Sequence, residues 1–178
     1  MILEHCIDSL KNNGYNDTNI HHAIANGTLL SEYIKTTPLN YYEATRLMVC
    51  LGIQLAALHS INKSIIFLAP HDILRINQDW YLIQNVDMLM PIVTDQTIVI
   101  EQPIMNNVNY LAPELHHMTS LPFETNISCI YYSIALLIKS AMKIKEPLPA
   151  SNIVNSQLYY FLQRCMIKDP SLRRFLFI

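Results

Sequence analysis

Glycine is scarce in this chain. Only three occur in 178 residues, Gly14, Gly27 and Gly52, and no pair forms a G-x-G. Backbone amides approach a phosphate closely only where no Cβ intervenes, so a glycine-built phosphate cradle is excluded. The absence of G-x-S-x-G likewise gives no support to a Ser/His/Asp hydrolase. Charge is sparse too. Asp, Glu, Lys and Arg make up 15% of the chain, against about 25% in ordinary soluble domains. The net charge of −2 leaves no basis for nucleic-acid binding or for a polybasic membrane surface. A surface this poor in Lys and Arg suits coverage by other proteins.

Long apolar runs are also missing. The longest, Cys129 to Ile138, is about half of what a bilayer span needs. The start, Met1-Ile-Leu-Glu-His5, lacks the basic and apolar regions of a secretory signal. The four cysteines, Cys6, Cys50, Cys129 and Cys165, are scattered and never form C-x-x-C. They read as reduced core thiols in an intracellular, cytoplasmic protein. The sequons at Asn16, Asn26, Asn62 and Asn126 then read as chance in an Asn-rich chain.

What is present is mostly helical periodicity. Ile2, Cys6, Ile7 and Leu10 predict a short amphipathic helix stopped by Asn12-Asn-Gly14. A second short helix is expected after Asp17-Thr18, and a third over Leu29–Lys35, closed by Pro38. The clearest helix carries Ala44, Leu47, Met48, Leu51, Leu55 and Leu58 at three- and four-residue spacing. Short β-rich pieces follow at Ile65–Phe67, Ile73–Ile76 and Trp80–Ile83, with Asn77-Gln-Asp79 as a hairpin turn. A loop containing Pro91 and Pro103 then leads to Tyr110-Leu-Ala-Pro-Glu-Leu115. An apolar helix over Asn126–Met142 should be buried on all sides. Pro147 and Pro149 break the chain before a last helix over Val154–Ile167. No βαβ alternation occurs, so a Rossmann-like sheet is not expected.

This order resembles the C-terminal lobe of protein kinases. Gly27-Thr-Leu-Leu-Ser-Glu-Tyr-Ile-Lys35 resembles the segment after the kinase hinge. Leu55-Ala-Ala-Leu-His-Ser60 resembles the end of the helix before the catalytic loop. Tyr110-Leu-Ala-Pro-Glu114 matches the A-P-E motif that closes the activation segment. Tyr132-Ser-Ile-Ala-Leu-Leu137 resembles W-S-x-G-x-x-L of the central helix, and Leu162 to Arg173 resembles L-x-x-C-L-x-x-D-P-x-x-R. The resemblance covers about residues 27 to 174 and implies a mainly α, C-lobe-like domain with a small β-hairpin. Residues 1–26 are then an N-terminal extension, too short for an N-lobe, and 27–178 the domain.

The departures from the kinase pattern bear on function. An active kinase reads H-R-D-L-K-P-x-N-I-L in its catalytic loop, and the matching stretch is Ile65-Ile-Phe-Leu-Ala-Pro-His-Asp-Ile-Leu74. By this resemblance Phe67 stands at the position of the catalytic Asp, which accepts the substrate hydroxyl proton. Ala69 replaces the loop Lys, and Asp72 replaces the metal-binding Asn. Asn85-Val-Asp87 stands near the D-F-G position, with Asn85 a poor magnesium ligand because it brings no charge. Ile130 replaces the Asp that ties the central helix to the catalytic loop. The degenerate loop is most similar to that of the KIND domain, the kinase non-catalytic C-lobe, whose members bind segments of other proteins, several of them cytoskeletal.

The resemblance therefore implies a pseudokinase-like scaffold with no catalytic residues, no cofactor and no metal. Its partners would be other proteins in a larger assembly, with the cytoskeleton as one setting. The alternative is a divergent kinase or nucleotide-binding pseudokinase completed by another chain. The resemblance also implies a structural ion pair between Glu114 and Arg173, with Arg174 as the fallback. Three features read as unremarkable. His21-His22 and His116-His117 lack a third ligand at zinc spacing. Asp72, Asp79 and Asp87 form a solvated face. Of Tyr159 and Tyr160, one should pack inward and the other face outward.

Overall fold

The structure is a computed structural model that describes residues 2–12, 20–84, 89–94, 96–104, 108–145 and 153–175. Its first elements are α1 (Ile2–Asn12), α2 (Ile20–Ala25), β1 (Thr28–Leu29), α3 (Leu30–Thr36) and α4 (Tyr41–Ser60). Strands β2 (Lys63–Ile65), β3 (Ile73–Arg75), β4 (Tyr81–Ile83), β5 (Leu89–Thr94) and β6 (Thr97–Ile100) follow. The chain closes with α5 (Pro113–His116), β7 (Phe123–Asn126), α6 (Cys129–Ala141) and α7 (Gln157–Cys165).

The expectation of a mainly α domain with one small hairpin is incorrect. The fold is mixed: 51% helix and 17% strand, with two antiparallel sheets. One sheet has the order β1-β3-β4 and the other β2-β5-β6-β7. The four-stranded sheet draws on Leu89–Thr94 and Thr97–Ile100, within the stretch that Pro91 and Pro103 had marked as loop. Pro91 is accommodated because β5 pairs with β2 over Leu89–Pro91 and with β6 from Ile92 onward. The proline thus sits at the junction of two ladders, where a missing donor disturbs little. A register shift between Ile92 and Thr94 also breaks the strict alternation that would have revealed the strand.

α4 starts where its sequence can satisfy its own first amides. Asn40 Oδ1 accepts from the Glu43 amide at 3.0 Å, and Glu43 Oε2 accepts from the Asn40 amide at 3.2 Å, a reciprocal capping box. α4 also closes the three-stranded sheet. The fully buried Gln54 donates from Nε2 to the Tyr81 carbonyl at 2.8 Å and accepts from the Ile83 amide at 2.9 Å. β4 is therefore no open edge, because a side-chain amide completes its ladder. The expected turn at Asn77 forms, with Asn77 Oδ1 accepting from the Asp79 and Trp80 amides at 2.8 and 3.0 Å.

α6 is the buried centre. Ile130, Ile134, Ala135, Leu137, Ile138 and Ala141 are all inaccessible, and they share one core with Leu47, Leu51, Leu55 and Leu58 of α4. The helix begins at Cys129 rather than Asn126 because Phe123–Asn126 is spent on β7. α7 is likewise shorter than its pattern, starting where Ser156 Oγ caps the Tyr159 amide at 3.2 Å. α1 packs along α4 and β4, and its Cys6, Ile7 and Leu10 belong to the same core. Residues 2–12 are thus structurally continuous with the domain. Phe175 packs against Tyr131 and Phe161 at 5.2 and 5.0 Å between ring centroids, folding the late chain back onto α6 and α7.

Candidate functional site

The stretch Ile65–Leu74 leaves β2, crosses the interior and enters β3 through a 3-10 turn at Pro70–Asp72. Ile65 through Pro70 are all buried. A loop that processes a ligand needs polar groups that reach it. This one instead presents side chains to a second apolar cluster. Phe67, 6% exposed, lies in it with Ile66, Ile98 and Ile100 of β6, Leu111, Ala112 and Leu115. The Phe67 ring is therefore a packing element under the four-stranded sheet.

Asp72 is buried, and its carboxylate is engaged internally. Oδ2 accepts from the Ala69 amide at 2.8 Å, and Oδ1 lies 3.4 Å from the exposed His71 ring. Asp72 is therefore not part of the expected solvated face. Asp72 caps a buried turn. Asp79 is the acceptor for the Tyr42 hydroxyl and lies 3.7 Å from Arg46, whose guanidinium sits 5.4 Å from the centre of the Trp80 ring. Asn85 and Asp87 lie outside the described residues.

The expected ion pair forms with high occupancy of donors. Arg173 Nη1 and Nη2 reach Glu114 Oε1 and Oε2 at 2.6 and 2.8 Å. Arg173 also donates to the Ile167 carbonyl at 2.7 Å and the Lys168 carbonyl at 3.0 Å, and stacks over Tyr132 at 4.9 Å. Its side chain is fully buried and that of Glu114 is 17% exposed. Arg174 turns away, donating to the Ser171 and Arg173 carbonyls at 2.7 and 2.8 Å.

Two further polar groups had not been singled out in the sequence. Ser133, fully buried in α6, accepts from the Leu68 amide at 2.9 Å and donates to the Leu68 carbonyl at 3.3 Å. The hydroxyl thus ties α6 to the loop that carries Phe67, while Ile130 of the same helix is buried and apolar. The signal was available: a Ser inside an otherwise apolar helix must find a partner. The second group is Glu43, only 5% exposed, whose Oε1 accepts from Tyr33 and Arg75, both at 3.0 Å. Arg75 also stacks over Tyr33 at 4.1 Å. The cluster joins α3, α4 and β3.

The four cysteines are all buried. Burial pushes the Cys6 and Cys50 thiols up to about 11 and those of Cys129 and Cys165 up to about 12, with the Glu114 carboxylate adding to Cys129. Thiols so raised supply almost no nucleophilic thiolate at neutral pH. His116 and His117 are exposed, as is Tyr160, while Tyr159 is half-buried. No helix among the described residues is long and apolar enough to cross a membrane. No family model and no curated protein matches this chain.

Proposed function

We propose that this chain is a non-catalytic protein-interaction module of the kinase C-lobe type, most similar to the KIND domain. The supporting observation is Phe67. At the position that the resemblance assigns to the catalytic Asp, an aromatic ring is buried in an apolar cluster. A phenyl ring accepts no proton, and a site already packed with side chains holds no substrate hydroxyl. Asp72, at the metal-ligand position of that resemblance, has one carboxylate oxygen engaged by its own turn. The Glu114–Arg173 pair keeps the scaffold side of the motif set while the chemical side is gone.

The module acts by binding segments of other proteins in a larger intracellular assembly, with the cytoskeleton as one setting. Nucleic acid, membrane, cofactor and metal have no part in it. Affinity purification from native material, followed by mass spectrometry with stoichiometry, tests this. A protein partner held at a fixed ratio is expected. A chain that recovers nucleotide and no protein would favour the alternative of a nucleotide-binding pseudokinase.

A further inference from the structure

A cleft of about 460 Å³ lies where the turn entering β6, the end of β7, the start of α6 and the tail after the 3-10 turn at Pro170–Leu172 meet. Its lining carries more donors than the protein uses. Asn126 Oδ1 accepts from the Ser128 amide at 2.9 Å, but its Nδ2 donates to nothing among the described residues. The Gln96 side-chain amide and the Tyr131 hydroxyl make no bond there either. Gln96 holds a left-handed backbone, with φ at 75°, and its carbonyl is fixed by the Ile127 amide at 2.8 Å. A non-glycine residue in that region is strained, and such strain gathers at functional sites.

Two guanidiniums also line the cleft, and they differ in what they have left to give. Arg173 is neutralised by Glu114, and its other bonds go to backbone carbonyls. Arg174 meets no carboxylate among the described residues. Its Nη1 donates to the Ser171 and Arg173 carbonyls at 2.7 and 2.8 Å, while Nε and Nη2 have no protein partner. Those two carbonyls hold the fork in place, so part of the ordering cost is met before a ligand arrives. No acidic side chain lines the cleft. Asp169 stands outside the lining, with Oδ1 accepting from the Ser171 hydroxyl and amide at 2.7 and 2.9 Å. The cleft thus offers one uncompensated positive charge and several unused donors. One wall is aromatic, with the Tyr131 and Phe175 ring centroids 5.2 Å apart.

Resting on the reading of this chain as a protein-interaction module, we propose that this cleft receives a phosphotyrosine side chain of a partner protein. The terminal phosphate oxygens accept from Arg174, Gln96 and Asn126. The phosphotyrosine ring lies against Tyr131 and Phe175. A carboxylate offers two oxygens and a single charge, and phosphoserine offers no ring, so both fit less well.

Amide NMR titration of the intact chain with three blocked tripeptides tests this. Each has alanine at both ends, around phosphotyrosine, phosphoserine or unmodified tyrosine. The phosphotyrosine peptide should bind roughly tenfold tighter than either of the others, shift the amides of Gln96, Ser128 and Arg174, and weaken at high salt. Arg174→Gln should lower its affinity about tenfold. Asn126→Asp should do the same, since it keeps the oxygen that accepts from Ser128 and exchanges the unused donor for an anion. Arg174→Lys keeps the charge without the fork and should fall between Arg174→Gln and the parent. Thermal melts verify that each variant is folded, and Arg174→Lys carries the test should Arg174→Gln unfold. No saturable shift, equal affinity for either other peptide, or indifference to the Arg174 variants overturns the proposal. Inorganic phosphate that binds as tightly as the phosphotyrosine peptide overturns it too, since the ring would then contribute nothing. A native partner retained equally by the parent and by Arg174→Gln overturns this site alone and leaves the protein-interaction reading standing.

Discussion

The Ser133 hydroxyl and the Leu68 backbone are joined by two hydrogen bonds, one in each direction, across 65 residues of sequence. This fastens the loop holding Phe67 to the central helix. Ser133→Ala leaves a buried amide and carbonyl without that partner, which costs about 1–3 kcal/mol. Urea denaturation should show the loss as a lower midpoint with unchanged slope. Hydrogen exchange should show faster opening of the Leu68 amide in particular.

Glu114→Ala should be the more damaging change. It strands a fully buried guanidinium, and breaking such a pair costs about 3–5 kcal/mol. For a domain of this size that lowers Tm by roughly 10 °C. Arg173→Lys keeps the charge but loses the fork that also serves the Ile167 and Lys168 carbonyls. A calorimetric Tm within a degree or so of the parent for both variants would show that the pair carries no structural load.

Gly27 is required by space. A Cβ there would lie 2.8 Å from Cγ and 2.9 Å from Cδ2 of Leu74. Gly27→Ala should therefore destabilise by about 1–3 kcal/mol through overpacking. Combined with Leu74→Ala, the clash disappears, so the double variant should lose less than the sum of the singles. Strict additivity in chemical denaturation would place the effect elsewhere.

His59 gives stability an acid dependence. Burial holds its imidazole below the ordinary value, and it sits 3.2 Å from the Ser64 hydroxyl. On acidification the unfolded chain takes up this proton first. The contribution is therefore complete above about pH 6.5 and is lost as pH falls toward the folded value. Melting curves at about pH 7.5 and about pH 5.5 should show a fall that His59→Gln makes shallower. An identical fall in that variant would assign the dependence to other groups.

The helical part of this architecture was legible because its signals are local. The α4 stripe, the largely apolar α6 and the Asn77 turn can each be read within a short window. The four-stranded sheet was not, since β2, β5, β6 and β7 come from three separate stretches and their pairing is a tertiary property. Pro91 and the register shift beside it also hid the alternation of β5. Glu114 and Arg173 were found through a motif resemblance, whereas Ser133 needed only the rule that a buried hydroxyl seeks a partner. Asp72 misled in the opposite sense: its acidity pointed to solvent, but its position three residues after Ala69 made it a cap.

The proposed function requires that the packed loop around Phe67 hold no nucleotide and that the chain act by binding other proteins. Calorimetric titration of the intact chain with ATP, in the presence and absence of magnesium, tests it most directly. No saturable heat up to millimolar nucleotide is expected under either condition. Micromolar, magnesium-dependent binding would instead make the chain a nucleotide-binding pseudokinase.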